Sequence, residues 1–336
     1  MNIVILDDFQ DAVRKLACAS KLNDLPARVY TNNIKGVAQL SVRLRDAQIL
    51  ILIGSRTEIS APLLDKLSKL KLIVQVGQVG PHLDVNACSE RGIAVSCGQS
   101  DPYPVAEMTW AAIMGAMRRL PQYIGNLKHG AWQQSGLKSM AMPPNFGLGQ
   151  RMRGKCLGIW GYGRVGALVA NYAKAFGLNV WVWGSDSALA RAQADGLRCA
   201  PSKEVLFQQS DILTLHLKHH IENKDLVTAQ DLALMKPTSL LVNTASPWLI
   251  SQDVLVTALN RGRPGMAVLD VFENEPLLQG NALLRLENCI CLPHISDVEV
   301  EQYESLFSTA FDQVISYIKG TPTGLLNPGV LYGRRS

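Results

Sequence analysis

Residues 157–166 read LGIWGYGRVG, and this stretch decides the fold. The apolar run Cys156–Trp160 predicts a buried strand, and 164–176 has helical spacing. Between them Gly161, Gly163 and Gly166 match G-x-G-x-x-G. In a strand-to-helix turn each glycine has a separate reason. The first makes the tight turn, the second lets backbone approach a pyrophosphate, and the third lets helix pack on strand. The helix N-terminal amides, at Arg164 and Val165, are then the candidate phosphate donors.

The same logic extends to the next strand, Asn179–Trp183. A carboxylate commonly follows such a strand and grips the adenine ribose of NAD. Here Gly184 and Ser185 follow, and the first acid is Asp186. No Arg or Lys follows at once to hold a 2′-phosphate, and Arg191 is the nearest. NAD is therefore the expected cofactor, with NADP as the alternative.

Further apolar runs flank this core. Strands are predicted at 3–6, 49–53, 72–76, 93–96, 212–217, 239–243, 267–271 and 289–292, with helical patterns between them. That alternation predicts parallel βαβ units. Residues 104–120 predict a long apolar helix, expected to be buried between domains. The polar stretch 121–153 reads as an arm outside the core.

Bulk properties agree with a large globular chain. The 336 residues suggest two domains as a soft prior, and 47% hydrophobic with 18% charged residues argues against disorder. The net charge of +5 is dispersed. The basic pairs Arg118-Arg119 and Arg334-Arg335 read as solvated surface, which excludes a nucleic-acid stripe. No apolar run reaches the ~18 residues of a membrane span. The start MNIVILDDFQ lacks signal-peptide character. Seven cysteines without a paired framework fit a reducing cytoplasm. Cys289 and Cys291 read as small apolar strand residues. No metal site is expected.

With these motifs in place, the chain resembles the D-isomer-specific 2-hydroxyacid dehydrogenase family. The likeness rests on LGIWGYGRVG, on DLALMKPTSLLVNTA (231–245), on LDVFENEPL (269–277) and on LPHIS (292–296). It implies an α/β fold of two doubly wound parallel-sheet domains. One is a flavodoxin-like catalytic domain built from residues 1–103 and 295–336. The other is an inserted Rossmann NAD(P)-binding domain, 104–294. It also implies a homodimer made through about 104–150.

The resemblance further implies hydride transfer between nicotinamide and C2 of a 2-hydroxy or 2-keto acid. His294 matches the general acid/base, and an unperturbed pKa near ~6.5 suits that task. Glu275 matches the glutamate that orients it. Asp270 and Ser296, with His216, Thr244 and Ala245, match positions near the cofactor. Val76, Gly77 and Gln78 with Arg56 match the substrate segment.

The sequence departs from the family pattern at three positions expected near the pocket. A substrate-binding arginine is expected fourth in Asn-Thr-Ser-Arg, and here Asn243-Thr244-Ala245 leads to Ser246. Gln78 and Gly54 likewise stand where cations are common. Serine cannot make the bidentate contact of a guanidinium. The expected activity is therefore a dehydrogenase with altered substrate preference. The alternatives are a non-catalytic nucleotide-binding sensor or scaffold, and a reductase of a neutral carbonyl compound. On this basis Ser246→Arg is expected to raise kcat/KM for 2-keto acids at least about tenfold. Among other residues, His82 and His129 read as surface or interface positions. Trp110 and Trp132 read as packing anchors, and His219 and His220 as an extended loop.

Overall fold

The computed structural model describes residues 1–138 and 142–332, so part of the expected arm and the pair Arg334-Arg335 lie outside the described residues. The chain divides into two compact units. The first joins Met1–Asp101 to the chain from Glu299 onward, and the second is Pro102–Val298.

The first unit holds five parallel strands: β1 (Ile3–Ile5), β2 (Ala27–Val29), β3 (Ile49–Ile53), β4 (Leu72–Val76) and β5 (Ala94–Cys97). Their order is β2-β1-β3-β4-β5, the flavodoxin-like arrangement. Strand β3 reads Ile-Leu-Ile-Leu-Ile and is buried along its whole length, as a central parallel strand covered on both faces must be. The C-terminal segment is tied into this unit by hydrogen bonds to β5. Leu326 N–H donates to the Val95 carbonyl at 2.8 Å, and Gln313 Nε2 donates to that of Cys97 at 2.8 Å.

The second unit holds seven parallel strands: β6 (Cys156–Trp160), β7 (Asn179–Trp183), β8 (Arg198–Cys199), β9 (Ile212–Leu215), β10 (Leu240–Asn243), β11 (Met266–Leu269) and β12 (Cys289–Cys291). Their order is β12-β11-β10-β9-β6-β7-β8. The chain runs one way from β6 to β8 and returns to the other side at β9. The gap between β6 and β9 is thus the topological switch point, where doubly wound sheets bind ligands beyond the strand carboxyl ends. Apolar clusters cover both sheet faces, with Ile159, Val169, Val182 and Val242 in one and Phe207, Leu213, Leu241 and Leu249 in the other.

Several expectations need correction. Helix Leu120–Lys128 forms inside the stretch read as an arm, and Leu137, Phe146 and Met152 from that stretch are core residues. The helix at Tyr103–Met117 packs on helix Arg164–Ala175 and on β10 and β11 of its own unit. Its Trp110 does anchor packing, with its ring 5.1 Å from Phe176. Trp132, by contrast, is 72% exposed.

Arg119 is not surface. It is 2% exposed and donates through Nε and Nη2 to the Phe146 carbonyl and through Nη1 to that of Ala116. Its guanidinium also lies 4.4 Å from the Phe146 ring centre. Carbonyls and a ring face stand in for a counterion, a contact that hydropathy cannot foresee. His82 is also buried, bonded to Gln75 Oε1 at 2.9 Å. Cys289 and Cys291 are only partly buried, because β12 is an edge strand, and their Sγ atoms are 3.8 Å apart. Strands β2 and β8 escape sequence notice because short edges carry no apolar run. Arg198 of β8 instead lays its guanidinium over Trp181 at 3.9 Å.

Candidate active site

Sheet register assembles the site in the second unit. Trp160 pairs with Leu215, Leu215 with Asn243, and Asn243 with Leu269. The next residues, Gly161, His216, Thr244 and Asp270, therefore leave the sheet at one level. Leu269 pairs with Cys291 on β12, and His294 follows shortly beyond.

The glycines can be separated by what a Cβ would meet. At Gly161, with φ +100°, it would fall 2.7 Å from the His216 carbonyl oxygen. At Gly166 it would fall 2.5 Å from the Gly161 carbonyl oxygen. These two are required by the protein's own packing. Gly163 caps the helix beginning at Arg164, and a Cβ there would meet nothing within 4 Å. The space beside it fits a ligand phosphate approaching the helix amides.

Next to this loop, Gly184 packs on the glycine turn, where a Cβ would sit 3.2 Å from that of Ala188. Ser185 and Asp186 are exposed. Arg191 donates to the Tyr162 carbonyl through Nη2 at 2.8 Å. His216 contacts Thr214 through Nε2 at 3.1 Å, and burial pushes its pKa down to about 4. It is therefore neutral at working pH.

His294 Nδ1 lies 2.7 Å from Glu275 Oε2. The other carboxylate oxygen, Oε1, accepts the Phe272 N–H at 3.0 Å, which fixes its orientation. Burial disfavours charge on His294. The hydrogen bond and charge of Glu275, helped by Asp297 and Asp270, outweigh that and raise its pKa. With Nδ1–H held by a carboxylate, Nε2 is left for proton transfer.

Asp270 is wholly buried, and its two oxygens accept the N–H groups of Ile295 at 2.9 Å and Ser296 at 2.8 Å. The carboxylate thus clamps the loop that carries His294. It also keeps residues 295–298 with the second unit, past the boundary expected at 294. His294 itself has φ +53°, a left-handed backbone that a non-glycine residue adopts only under constraint. The Ser296 hydroxyl is buried and has no partner among the described residues. Such an orphan fits the polar amide of a bound nicotinamide.

The loop after β10 departs from its expected use. Thr244 is buried with its hydroxyl 2.7 Å from that of Thr109, while Ala245, Pro247 and Trp248 are partly exposed. Ser246 is 0% exposed. Its Oγ accepts the Trp248 N–H at 3.3 Å and lies 2.7 Å from His219 Nδ1. Asn243 braces the turn, accepting from Ser246 N and donating to the Ser246 carbonyl. An arginine at 246 would have to abandon these contacts, which weighs against a simple gain from Ser246→Arg. His219 is the residue that sequence reasoning missed. It also packs on Trp248, with ring centres 4.3 Å apart. Its only sequence signal was the loss of arginine elsewhere.

In the first unit, Arg56 donates to the Asp7 carbonyl at 2.7 Å and lies 5.1 Å from the Phe9 ring. Val76 ends β4 and is buried, Gly77 has φ +80°, and Gln78 is exposed. Among the described residues no group of His, Cys, Asp or Glu could hold a metal ion. No described helix is long and apolar enough to cross a membrane.

Comparison with known proteins gives a consistent picture. Residues 110–296 match the model "D-isomer specific 2-hydroxyacid dehydrogenase, NAD binding domain". The chain is 32% identical to a glyoxylate reductase of Aeropyrum pernix, with 82% of each covered. It is 31% identical to a D-3-phosphoglycerate dehydrogenase of Methanocaldococcus jannaschii, covering 84% of this chain but only 52% of that protein. The chain thus spans about half the length of that relative. Among solved structures, an oxidoreductase from Ralstonia solanacearum superposes with a TM-score of 0.96 at 52% identity, over 98% of each chain. A phosphoglycerate oxidoreductase from Vibrio cholerae gives 0.90 at 38% identity, over 95% of this chain and 99% of that one.

Proposed function

Because this chain belongs to the D-isomer-specific 2-hydroxyacid dehydrogenase family, we propose that it reduces a small carbonyl compound with NADH, or oxidises the matching alcohol with NAD. The observation that carries this is the 2.7 Å contact between His294 Nδ1 and Glu275 Oε2, at the strand ends that also hold the glycine loop. Bound nicotinamide supplies the hydride chemistry. Nε2 of His294 gives a proton to the carbonyl oxygen as hydride reaches carbon, and takes it back in the reverse direction. Glu275 stabilises the imidazolium before that transfer. Asp270 holds the loop, and the orphan Ser296 hydroxyl with the amides at Gly163–Val165 holds the cofactor.

We assign NAD over NADP because Arg191 is engaged on the Tyr162 carbonyl and no other cation follows β7 at once. In the first unit, Arg56 with the Val76–Gln78 segment is our candidate for binding a substrate acid group. A homodimer is supported by Leu120, Ile124 and Leu127, which are 49%, 55% and 54% exposed on one face of a single helix. Seven free cysteines suit a reducing cytoplasm.

The test pairs binding with turnover. NADH and NADPH binding is followed by fluorescence, then glyoxylate, hydroxypyruvate, pyruvate and a neutral aldehyde are assayed against a His294→Ala control. NADH binding without turnover above that control would leave a nucleotide-binding scaffold as the better account.

A further inference from the structure

Ser246 stands where a guanidinium is expected, yet its hydroxyl cannot reach a ligand. It is wholly buried, accepts the Trp248 N–H, and has one proton of its own to place. His219 Nδ1, 2.7 Å away, is the acceptor at hand. The opposite arrangement, with Nδ1–H donating to Oγ, would leave the buried hydroxyl proton without an acceptor, which is unfavourable. The network therefore selects the tautomer in which His219 carries its hydrogen on Nε2. Trp248 packs against the imidazole at a 47° tilt and fixes its plane. Nε2 has no protein partner among the described residues, and the side chain is only partly buried.

We propose that His219, held by Ser246 and Trp248, presents Nε2–H as an uncharged hydrogen-bond donor to the carbonyl oxygen of the substrate. This rests on the dehydrogenase reading above and deepens it. An arginine would bind an acid group by charge, whereas a neutral imidazole polarises a carbonyl whether or not a carboxylate adjoins it. His219 stays uncharged because burial lowers its proton affinity and the nearby His294 lowers it further, with Glu275 opposing. The two imidazoles thereby divide the work. His294 is kept ready to carry a proton, and His219 is kept from competing for it.

The test uses the full chain with NADH, and two acceptors of similar size: glyoxylate, which carries a carboxylate, and glycolaldehyde, which does not. Expected for His219→Ala is a fall in kcat of about 10²-fold on both acceptors, the usual effect of losing a donor to developing oxyanion charge. NADH affinity should stay within about twofold, since no cofactor contact is removed. His219→Gln keeps an N–H donor and should recover at least about tenfold of the loss. Wild-type kcat/KM for the two acceptors should differ by less than about tenfold, which is under 1.4 kcal/mol.

Equal losses in the Ala and Gln variants would make His219 a packing residue and overturn the proposal. So would a loss confined to KM for glyoxylate, which would mean a charged histidine binding the carboxylate. Wild-type turnover that His219→Ala matches overturns this inference alone. Turnover no greater than that of His294→Ala brings down the dehydrogenase reading and this inference with it.

Discussion

Replacing Asp270 with alanine tests how the loop bearing His294 is held. The substitution removes two hydrogen bonds that a buried carboxylate accepts from the amides of Ile295 and Ser296. Bonds to a charged group contribute about 1.5–3 kcal/mol each, so about 3–6 kcal/mol of support for the loop disappears. Against this, the left-handed backbone of His294 costs about 1–2 kcal/mol, which a released loop recovers. The net loss of preference for the folded loop is about 1–5 kcal/mol, or roughly 5- to 5 × 10³-fold as a ceiling on the drop in kcat. Asp270→Asn, which keeps one acceptor in the same shape, should fall between the wild type and Asp270→Ala.

Steady-state reduction of glyoxylate gives kcat, NADH fluorescence gives Kd, and amide exchange at Ile295 and Ser296 reports the loop directly. We expect faster exchange at both amides, lower kcat and an NADH Kd weakened by less than about tenfold, the share lost with the Ser296 hydroxyl. A variant within about threefold of wild type in kcat, with both amides still protected, would refute the reasoning. An NADH Kd weakened more than tenfold at unchanged kcat would also refute it, because Asp270 would then act on the cofactor and not on the loop.

Further outcomes are expected. His294 has a raised pKa, so carbonyl reduction, which needs its imidazolium, should be full at low pH and decline as pH rises through that pKa. Glu275→Gln should move this decline to lower pH, because burial then acts on His294 with less opposition; an unmoved profile in kcat would remove Glu275 from the pair. Ser246→Arg alone should lose about 1–2 kcal/mol in denaturant unfolding from its broken cap, and should gain less than tenfold in kcat/KM for glyoxylate. Arg119→Met should destabilise the chain by about 1–3 kcal/mol in the same measurement, through the Phe146 carbonyl it leaves unpaired; the Ala116 carbonyl keeps the backbone N–H of residue 119. Arg191→Ala should change NADPH affinity by less than about threefold, and a larger loss would show that its guanidinium reaches a 2′-phosphate.

The features visible in the sequence were those set by local spacing. The glycine turn lies within ten residues of chain, and its neighbours on both sides are strongly patterned. His294 and Glu275 were singled out by the family resemblance, through LPHIS and LDVFENEPL, and they lie 2.7 Å apart in the structure. What stayed hidden joins separate strand ends. The Ser246–His219 contact links the loops after β10 and β9, and the Asp270 clamp links those after β11 and β12. No periodicity records such pairings. Arg119 was misread for a related reason: a charge looks solvated until carbonyls from a distant turn surround it. Helix Leu120–Lys128 was missed because its apolar residues lie on an exposed face, where no core pattern announces them.

The buried serine also couples two positions that the chain keeps far apart. An arginine placed at 246 would break the cap and leave His219 without its Nδ1 partner. Accommodating it needs coordinated change in the loops after β9 and β10. Chains that share both residues are expected to vary them together, and a lone arginine at 246 beside an intact histidine at 219 should be rare among them.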